Sequence, residues 1–132
     1  MSLDQTVLEA KRLGVITCHI SCALVEAARR MVDEDVSALV VVDDEGCLAG
    51  IVTRTDLLRA SLTSSDWETE PVQTYMSPDV VVVAEDACLS EVAELLLEKQ
   101  IHRVVVIREH EGKQRPLSVV SAADLLYHMV NS

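Results

Sequence analysis

Two short stretches place a hydroxyl three residues ahead of a carboxylate: Thr53-Arg54-Thr55-Asp56 and Ser121-Ala122-Ala123-Asp124. The spacing fits a capping box, in which hydroxyl and carboxylate close the first turn of a helix reciprocally. It equally fits a ligand site. A hydroxyl beside the free N–H groups of a helix start sits where an anion is favoured, and a carboxylate accepts charge-assisted hydrogen bonds from neighbouring hydroxyls. The other reactive residue types are less organised. Cys18, Cys22, Cys47 and Cys88 are spaced by 4, 25 and 41 residues without a C-x-x-C, which matches no zinc pattern, so the thiols read as small buried hydrophobes. His19, His102, His110 and His128 show no spacing to a nucleophile, and no P-loop or G-x-G-x-x-G is present. The chain therefore reads as non-enzymatic, with no catalytic residue and no metal site.

The elements that must position these residues come from an internal repeat, the feature that fixes architecture first. A shift of 65 residues lays Val15–Val42 on Val80–Ile107, matching Leu24 to Leu89, Glu26 to Glu91, Ala28 to Ala93 and Val40 to Val105. The register then moves to 68, placing Val52, Asp56 and Leu57 on Val120, Asp124 and Leu125. The three extra residues fall in Arg108–Pro116, where charge, Gly112 and Pro116 predict a turn. Within each copy, Leu24, Ala27, Ala28, Met31 and Val32, or Leu89, Val92, Ala93, Leu96 and Leu97, recur at helical spacing. Leu39–Val42 and Val104–Ile107 read as buried strands, followed by second strands at Leu48–Val52 and Leu117–Val120. Helices then start at Thr53 and Ser121 and carry Leu57-Leu58 and Leu125-Leu126 toward the core. With leading strands at Val15–Thr17 and Val80–Val83, each copy reads strand-helix-strand-strand-helix. The expected fold is α+β, with two such repeats packed sheet to sheet as a pseudo-twofold pair. The expected division is a first repeat over 7–62, a connecting segment with a lead-in helix over 63–78, and a second repeat over 79–130. Asp4–Leu13 is expected as the lead-in helix of the first copy, and Val72–Met76 as a short helix of the connection.

Composition narrows the function classes. With 132 residues the chain can bury a core without disulfides or metal. Its formal net charge of −11 repels phosphate backbones and anionic membranes, and Trp67, Tyr75 and Tyr127 alone cannot build a base-stacking platform. Nucleic acid and membrane are thus excluded as partners. Apolar runs such as Ala38–Val42 are five residues long, against about 20 needed to cross a bilayer, and no signal peptide is evident, so a cytoplasmic protein is expected.

The stretch Gly50-Ile51-Val52-Thr53-Arg54-Thr55-Asp56-Leu57-Leu58, preceded by Ser37–Asp43 and a Gly46 turn, resembles the cystathionine-β-synthase (CBS) domain. His102–Ile107 with Val119–Leu126, led in by Met76-Ser77-Pro78, resembles a second one, so the chain is similar to a tandem CBS pair, or Bateman module, over about residues 7–130. The resemblance implies a regulatory module that needs no cofactor and binds an adenine nucleotide (AMP, ADP or ATP) in clefts between the repeats. Other adenosyl ligands, NAD(H) or S-adenosylmethionine, and a ligand-free dimerisation role stand as alternatives. It implies ribose contacts at Asp56 and Asp124, with Thr53 and Ser121 as the motif hydroxyls. It places adenine near Ile16, Thr17, Val36 and Ala38 in one copy and near Val81, Val82, Ile101 and Val104 in the other. Phosphate would be met by Arg54, His102, Arg103 and Arg108. It further implies a homodimer formed through helices and a regulated protein partner. The family's usual acidic-basic pair before the motif Asp is replaced by Arg54-Thr55 and Ala122-Ala123, so the two clefts are expected to be inequivalent.

Overall fold

The computed structural model describes residues 2–10 and 14–131. In chain order the elements are α1 (Val7–Ala10), β1 (Thr17–His19), α2 (Leu24–Glu34), β2 (Ala38–Val42), β3 (Leu48–Thr53), α3 (Arg54–Thr63), β4 (Val82–Ala84), α4 (Leu89–Lys99), β5 (Arg103–His110), β6 (Lys113–Ser121) and α5 (Ala122–Val130). The repeated order strand-helix-strand-strand-helix is as the sequence predicts, and the fold is α+β. Each copy forms a three-stranded sheet, β1-β2-β3 or β4-β5-β6, whose first pair is parallel and second antiparallel. Even the irregularities repeat: the antiparallel register shifts between Val41 and Val42 and, one repeat later, between Val106 and Ile107.

Ile16–Val80 form one compact unit, whereas the chain up to Val15 joins Val81 onward in the other. The core of the first holds Leu24, Ala27, Met31, Leu39, Val41, Val52, Leu57 and Val72. The core of the second holds Val7, Leu89, Val92, Leu96, Val104, Val106, Val120 and Leu125. Burying each Val or Leu stabilises its unit by roughly 1.5–3 kcal/mol.

Val7 and Val72 show where the sequence reading needs correction. The N-terminal lead-in serves the second repeat, not the first. Val7 N–H donates to Ala87 O (2.8 Å), Leu8 N–H to Glu85 O (3.1 Å), and Leu89 N–H to Gln5 O (2.9 Å). Val72 N–H donates to Cys22 O (2.8 Å), Gln73 N–H to Ile20 O (3.0 Å) and Leu24 N–H to Glu70 O (2.9 Å), which is the same pattern 65 residues on. The loop entering α2 or α4 offers a carbonyl pair and an apolar slot that a valine fills. The second lead-in is shorter than expected, Val72–Thr74 making one 3-10 turn; α1 is described over Val7–Ala10, and Leu13 lies outside the described residues.

Four further expectations are corrected. The leading strands run two residues later at Thr17–His19, and at Val82–Ala84. Arg108–Pro116 is mostly strand: Arg108 faces Arg115, Glu109 faces Gln114 and His110 faces Lys113, leaving Glu111 and Gly112 as the turn with φ of 52° and 77°. Two positive-φ residues suit the twist of a two-residue hairpin, and the charged composition masked the pairing. Leu57 and Leu125 are buried, but Leu58 and Leu126 are exposed. Val32 and Leu97, the last positions of their helical stripes, are exposed too, because the buried arc of α2 and α4 is narrower than the apolar one.

Close backbone approach fixes the connecting segment. Ile51 and Ser77 exchange two backbone hydrogen bonds of 2.9 Å, and a Cβ on Gly50 would stand 2.6 Å from Ser77 O and 2.8 Å from Met76 Sδ. Glycine is therefore required there by space.

Candidate functional site

Both hydroxyl–carboxylate pairs form complete capping boxes at the starts of α3 and α5. Thr53 N–H donates to Asp56 Oδ2 (2.8 Å), Thr53 Oγ1 donates to the same oxygen (3.0 Å), and Asp56 N–H donates to Thr53 Oγ1 (3.3 Å). The corresponding distances at Ser121 and Asp124 are 2.8, 3.1 and 3.3 Å. By contrast α2 and α4 begin at Ala23 and Cys88 with no side-chain cap. In the first unit both capping bonds that reach the carboxylate fall on Oδ2, while Oδ1 accepts from Arg59 Nη1 at 3.2 Å. The Asp56 side chain is 16% exposed and that of Arg59 66%. Sequence reasoning missed Arg59, although a cation three residues after an aspartate on a helix is a standard contact.

Sheet register gathers several predicted residues around each box. Ala38 pairs with Thr53, Thr17 pairs with Val40, Val40 N–H donates to Ile16 O (3.2 Å), and Arg54 N–H donates to Ser37 O (3.0 Å). Ile16, Ala38 and Thr53 thus meet at one end of the first sheet, and the Thr17 carbonyl accepts from Arg30 Nη1. In the second unit Arg103 pairs with Ser121, Val82 pairs with Val105, Val105 N–H donates to Val81 O (3.0 Å), and Ala122 N–H donates to His102 O (3.1 Å). His102 is exposed, Arg103 half-buried, and Val104 fully buried in the core.

Two cations stand elsewhere. Arg54 lines an apolar groove of about 440 Å³ between α2 and α3, with Met31, Val32, Asp35, Leu57 and Leu58. Arg108 is held in a fork by Glu85, Nε to Oε2 at 2.7 Å and Nη2 to Oε1 at 3.0 Å, which holds the Glu85 carboxyl below its usual range.

The remaining reactive groups are structural in setting. All four cysteines are free thiols; burial pushes Cys18 up to about 12 and raises Cys22 as well, which suppresses thiolate chemistry. Among the described residues no group of three His, Cys, Asp or Glu is placed to hold a metal ion. His19 does meet a hydroxyl and a carboxylate, a contact its sequence spacing did not reveal: Nδ1 lies 2.7 Å from Ser21 Oγ and Nε2 2.5 Å from Asp44 Oδ1. Ser21 N–H also donates to Nδ1 (3.1 Å), and Asp44 is almost fully exposed, so the contact staples the loop after β1 to the β2–β3 turn. No helix among the described residues is long and apolar enough to cross a membrane.

Residues 4–63 and 72–131 each match the CBS domain family. The chain belongs to the CBS domain family. As a CBS pair it is 33% identical over 96 residues to the transcriptional repressor CcpN of Bacillus subtilis (strain 168), covering 71% of this chain and 45% of that protein. The chain thus spans under half the length of that curated relative. The solved structure of AcuB from Vibrio cholerae superposes with a TM-score of 0.85 at 25% identity, covering 96% of this CBS pair and 90% of that chain. CBSX2, solved in complex with AMP, superposes with a TM-score of 0.80 at 24% identity over 96% of both chains, a likeness of fold.

Proposed function

We propose that this CBS pair is a regulatory, non-catalytic module that senses an adenine nucleotide (AMP, ADP or ATP), its ribose diol accepted by Asp56 and Asp124. The observation that carries the reading is the duplicated box. Thr53–Asp56 and Ser121–Asp124 hold their carboxylates in one geometry at equivalent places in the two repeats, while α2 and α4 do without a side-chain cap. Charge-assisted bonds from a diol to a carboxylate contribute on the order of 1.5–3 kcal/mol each. Ile16, Thr17 and Ala38, and Val81 and Val82 in the second repeat, supply the aliphatic and backbone surroundings for the base. His102, Arg103 and Arg54 are the cations for phosphate. The ligand is a cytoplasmic metabolite, so we place the module in the cytoplasm, where a partner protein reads the ligand-favoured conformation through differential affinity.

Calorimetric titration with AMP, ADP, ATP, NADH and S-adenosylmethionine tests the reading. Saturable binding of at least one adenine nucleotide is expected, weakened at least tenfold at the altered site by Asp56→Asn or Asp124→Asn, both of which keep a capping side chain. Absence of saturable heat from every ligand, or unchanged affinity in both variants, overturns it.

A separate observation favours self-association through helices. Val32, Leu58 and Leu62 are exposed on α2 and α3, and Leu97, Leu126 and Val130 are exposed at the matching positions of α4 and α5. Apolar patches kept at equivalent places on both repeats fit a homodimer. Sedimentation equilibrium should show a dimer that Leu58→Glu with Leu126→Glu converts to monomer; a monomeric native protein rules the dimer out.

A further inference from the structure

Asp56 Oδ1, the oxygen left over from the capping box, is held by Arg59 at 3.2 Å. A ribose diol needs that oxygen, because Oδ2 already accepts from Thr53 N–H and Oγ1. Binding at Asp56 therefore displaces Arg59. The pair is easily broken, since Arg59 lies mostly in solvent, where such ion pairs are weak. What becomes of the released guanidinium depends on the ligand. A 5′-phosphate on the same ribose offers two oxygens that the planar guanidinium fork can engage bidentately, so the displaced charge is paired again. A neutral nucleoside offers nothing in exchange and must compete against the ion pair. At the same register of the second repeat, three residues after Asp124, stands Tyr127, exposed and uncharged.

We propose that Arg59 is the specificity-determining residue of the first repeat, a guanidinium latch on Asp56 that selects 5′-phosphorylated adenosines over adenosine. The inference rests on the nucleotide reading above and adds to it a discrimination at the first repeat. The molecule as a whole carries a net charge of −11, so an uncompensated phosphate at Asp56 is strongly disfavoured and a single well-placed cation has a large effect on the choice of ligand.

The test is calorimetric titration of AMP and adenosine into the full chain carrying Asp124→Asn, which restricts the signal to the first repeat, with and without Arg59→Gln and Arg59→Lys. We expect the ratio of AMP to adenosine affinity to fall about tenfold in Arg59→Gln, with AMP weakened and adenosine equal or tighter. Arg59→Lys should restore part of the ratio. Raising salt from about 0.05 to about 0.5 M, about a threefold shortening of the Debye length, should erode the ratio in the Arg59 chain and leave that of Arg59→Gln nearly flat. A ratio unchanged within about twofold by Arg59→Gln, with AMP binding that Asp56→Asn still abolishes, overturns the latch and leaves the nucleotide reading standing. Binding of neither ligand to the unaltered chain overturns both. Thermal melts of the Arg59 variants, expected to stay close to the parent because Arg59 lies mostly in solvent, separate a change in selectivity from a loss of fold.

Discussion

Thr53 and Ser121 cap their helices at the same place where ligand recognition is proposed. The capping contacts use the hydroxyl and a single carboxylate oxygen, so capping and ligand recognition do not exclude each other, and stability measurements without ligand isolate the first. Thr53→Ala and Ser121→Ala should each destabilise by about 1 kcal/mol in urea titrations, whereas Thr53→Ser should be close to neutral. No loss in either alanine variant would mean the boxes are not used as caps in solution. The Glu85–Arg108 fork gives a pH test whose sign is fixed. Arg108 depresses the folded-state carboxyl, so the contribution to stability is full above the ordinary glutamate value of about 4.3 and is lost as pH falls through the lower folded value. Glu9, held down by the Thr6 N–H and hydroxyl, and Glu70, held down chiefly by the Tyr75 hydroxyl, act in the same direction. Urea midpoints measured between pH 6 and pH 3, roughly spanning that window, should fall toward acid, and Arg108→Gln should flatten the fall. A slope identical in Arg108→Gln would show the fork does not persist. At this scale the sequence was informative for Asp56 and Asp124, whose spacing carries the geometry. It missed the Asp56–Arg59 contact, which i,i+3 spacing on a helix allows, and it did not pair Arg108 with Glu85, because residues 23 apart in sequence meet only through the backbone that presents them.

Elements carry their own strain. Both α2 and α4 end on a non-glycine residue in the left-handed region, Asp35 with φ of 54° and Gln100 with φ of 53°, where the backbone N–H caps Met31 O and Val32 O, or Leu96 O. Glycine relieves the Cβ contact at that position. Gln100→Gly should therefore raise stability by about 0.5–1 kcal/mol in chemical denaturation, with unchanged helical circular dichroism; a destabilised variant would show that the Gln100 side chain matters more than its backbone. Gly50 behaves oppositely. Gly50→Ala forces Ser77 and Met76 away from β3 and should cost about 1–3 kcal/mol, the usual range for overpacking. Trp67, which packs on the first core from the same connecting segment, should report the disturbance by fluorescence. The helical stripes and β-branched runs were legible because their periods are set by local geometry. The β5–β6 ribbon was not, since its outer residues Arg108–His110 and Lys113–Arg115 are polar or charged and mostly exposed, so no apolar alternation marks them as strand. The exposure of Leu58, Leu126, Val32 and Leu97 escaped for a related reason: apolar identity marks a face as dry somewhere, without saying whether its own unit or a second surface dries it.

At the scale of the whole chain, repeat order and packing order differ. Val7 precedes the first repeat in sequence yet fills the second core, as Val72 precedes the second repeat and fills the first. Periodicity could not reveal this, because each lead-in carries its valine at the same repeat register, and the pairing is visible only in the backbone hydrogen bonds it makes. The consequence is that a truncation at the N-terminus damages the distant repeat. Val7→Ala removes apolar volume from a fully buried site and should destabilise the unit containing α4 and β4–β6 by about 1–3 kcal/mol. Amide hydrogen exchange followed by mass spectrometry reads each unit separately, since local opening reports the stability of the cooperative unit around it. Val7→Ala should speed exchange in Leu89–Lys99 and Arg103–Ser121 while Leu24–Glu34 keeps its protection. Val72→Ala should reverse the pattern, and the first core should then loosen around Trp67. Equal loss of protection in both helices from either substitution would contradict the exchange of lead-ins. Faster exchange confined to Leu24–Glu34 in Val7→Ala would contradict it more directly, by returning the N-terminal segment to the repeat that it precedes in sequence.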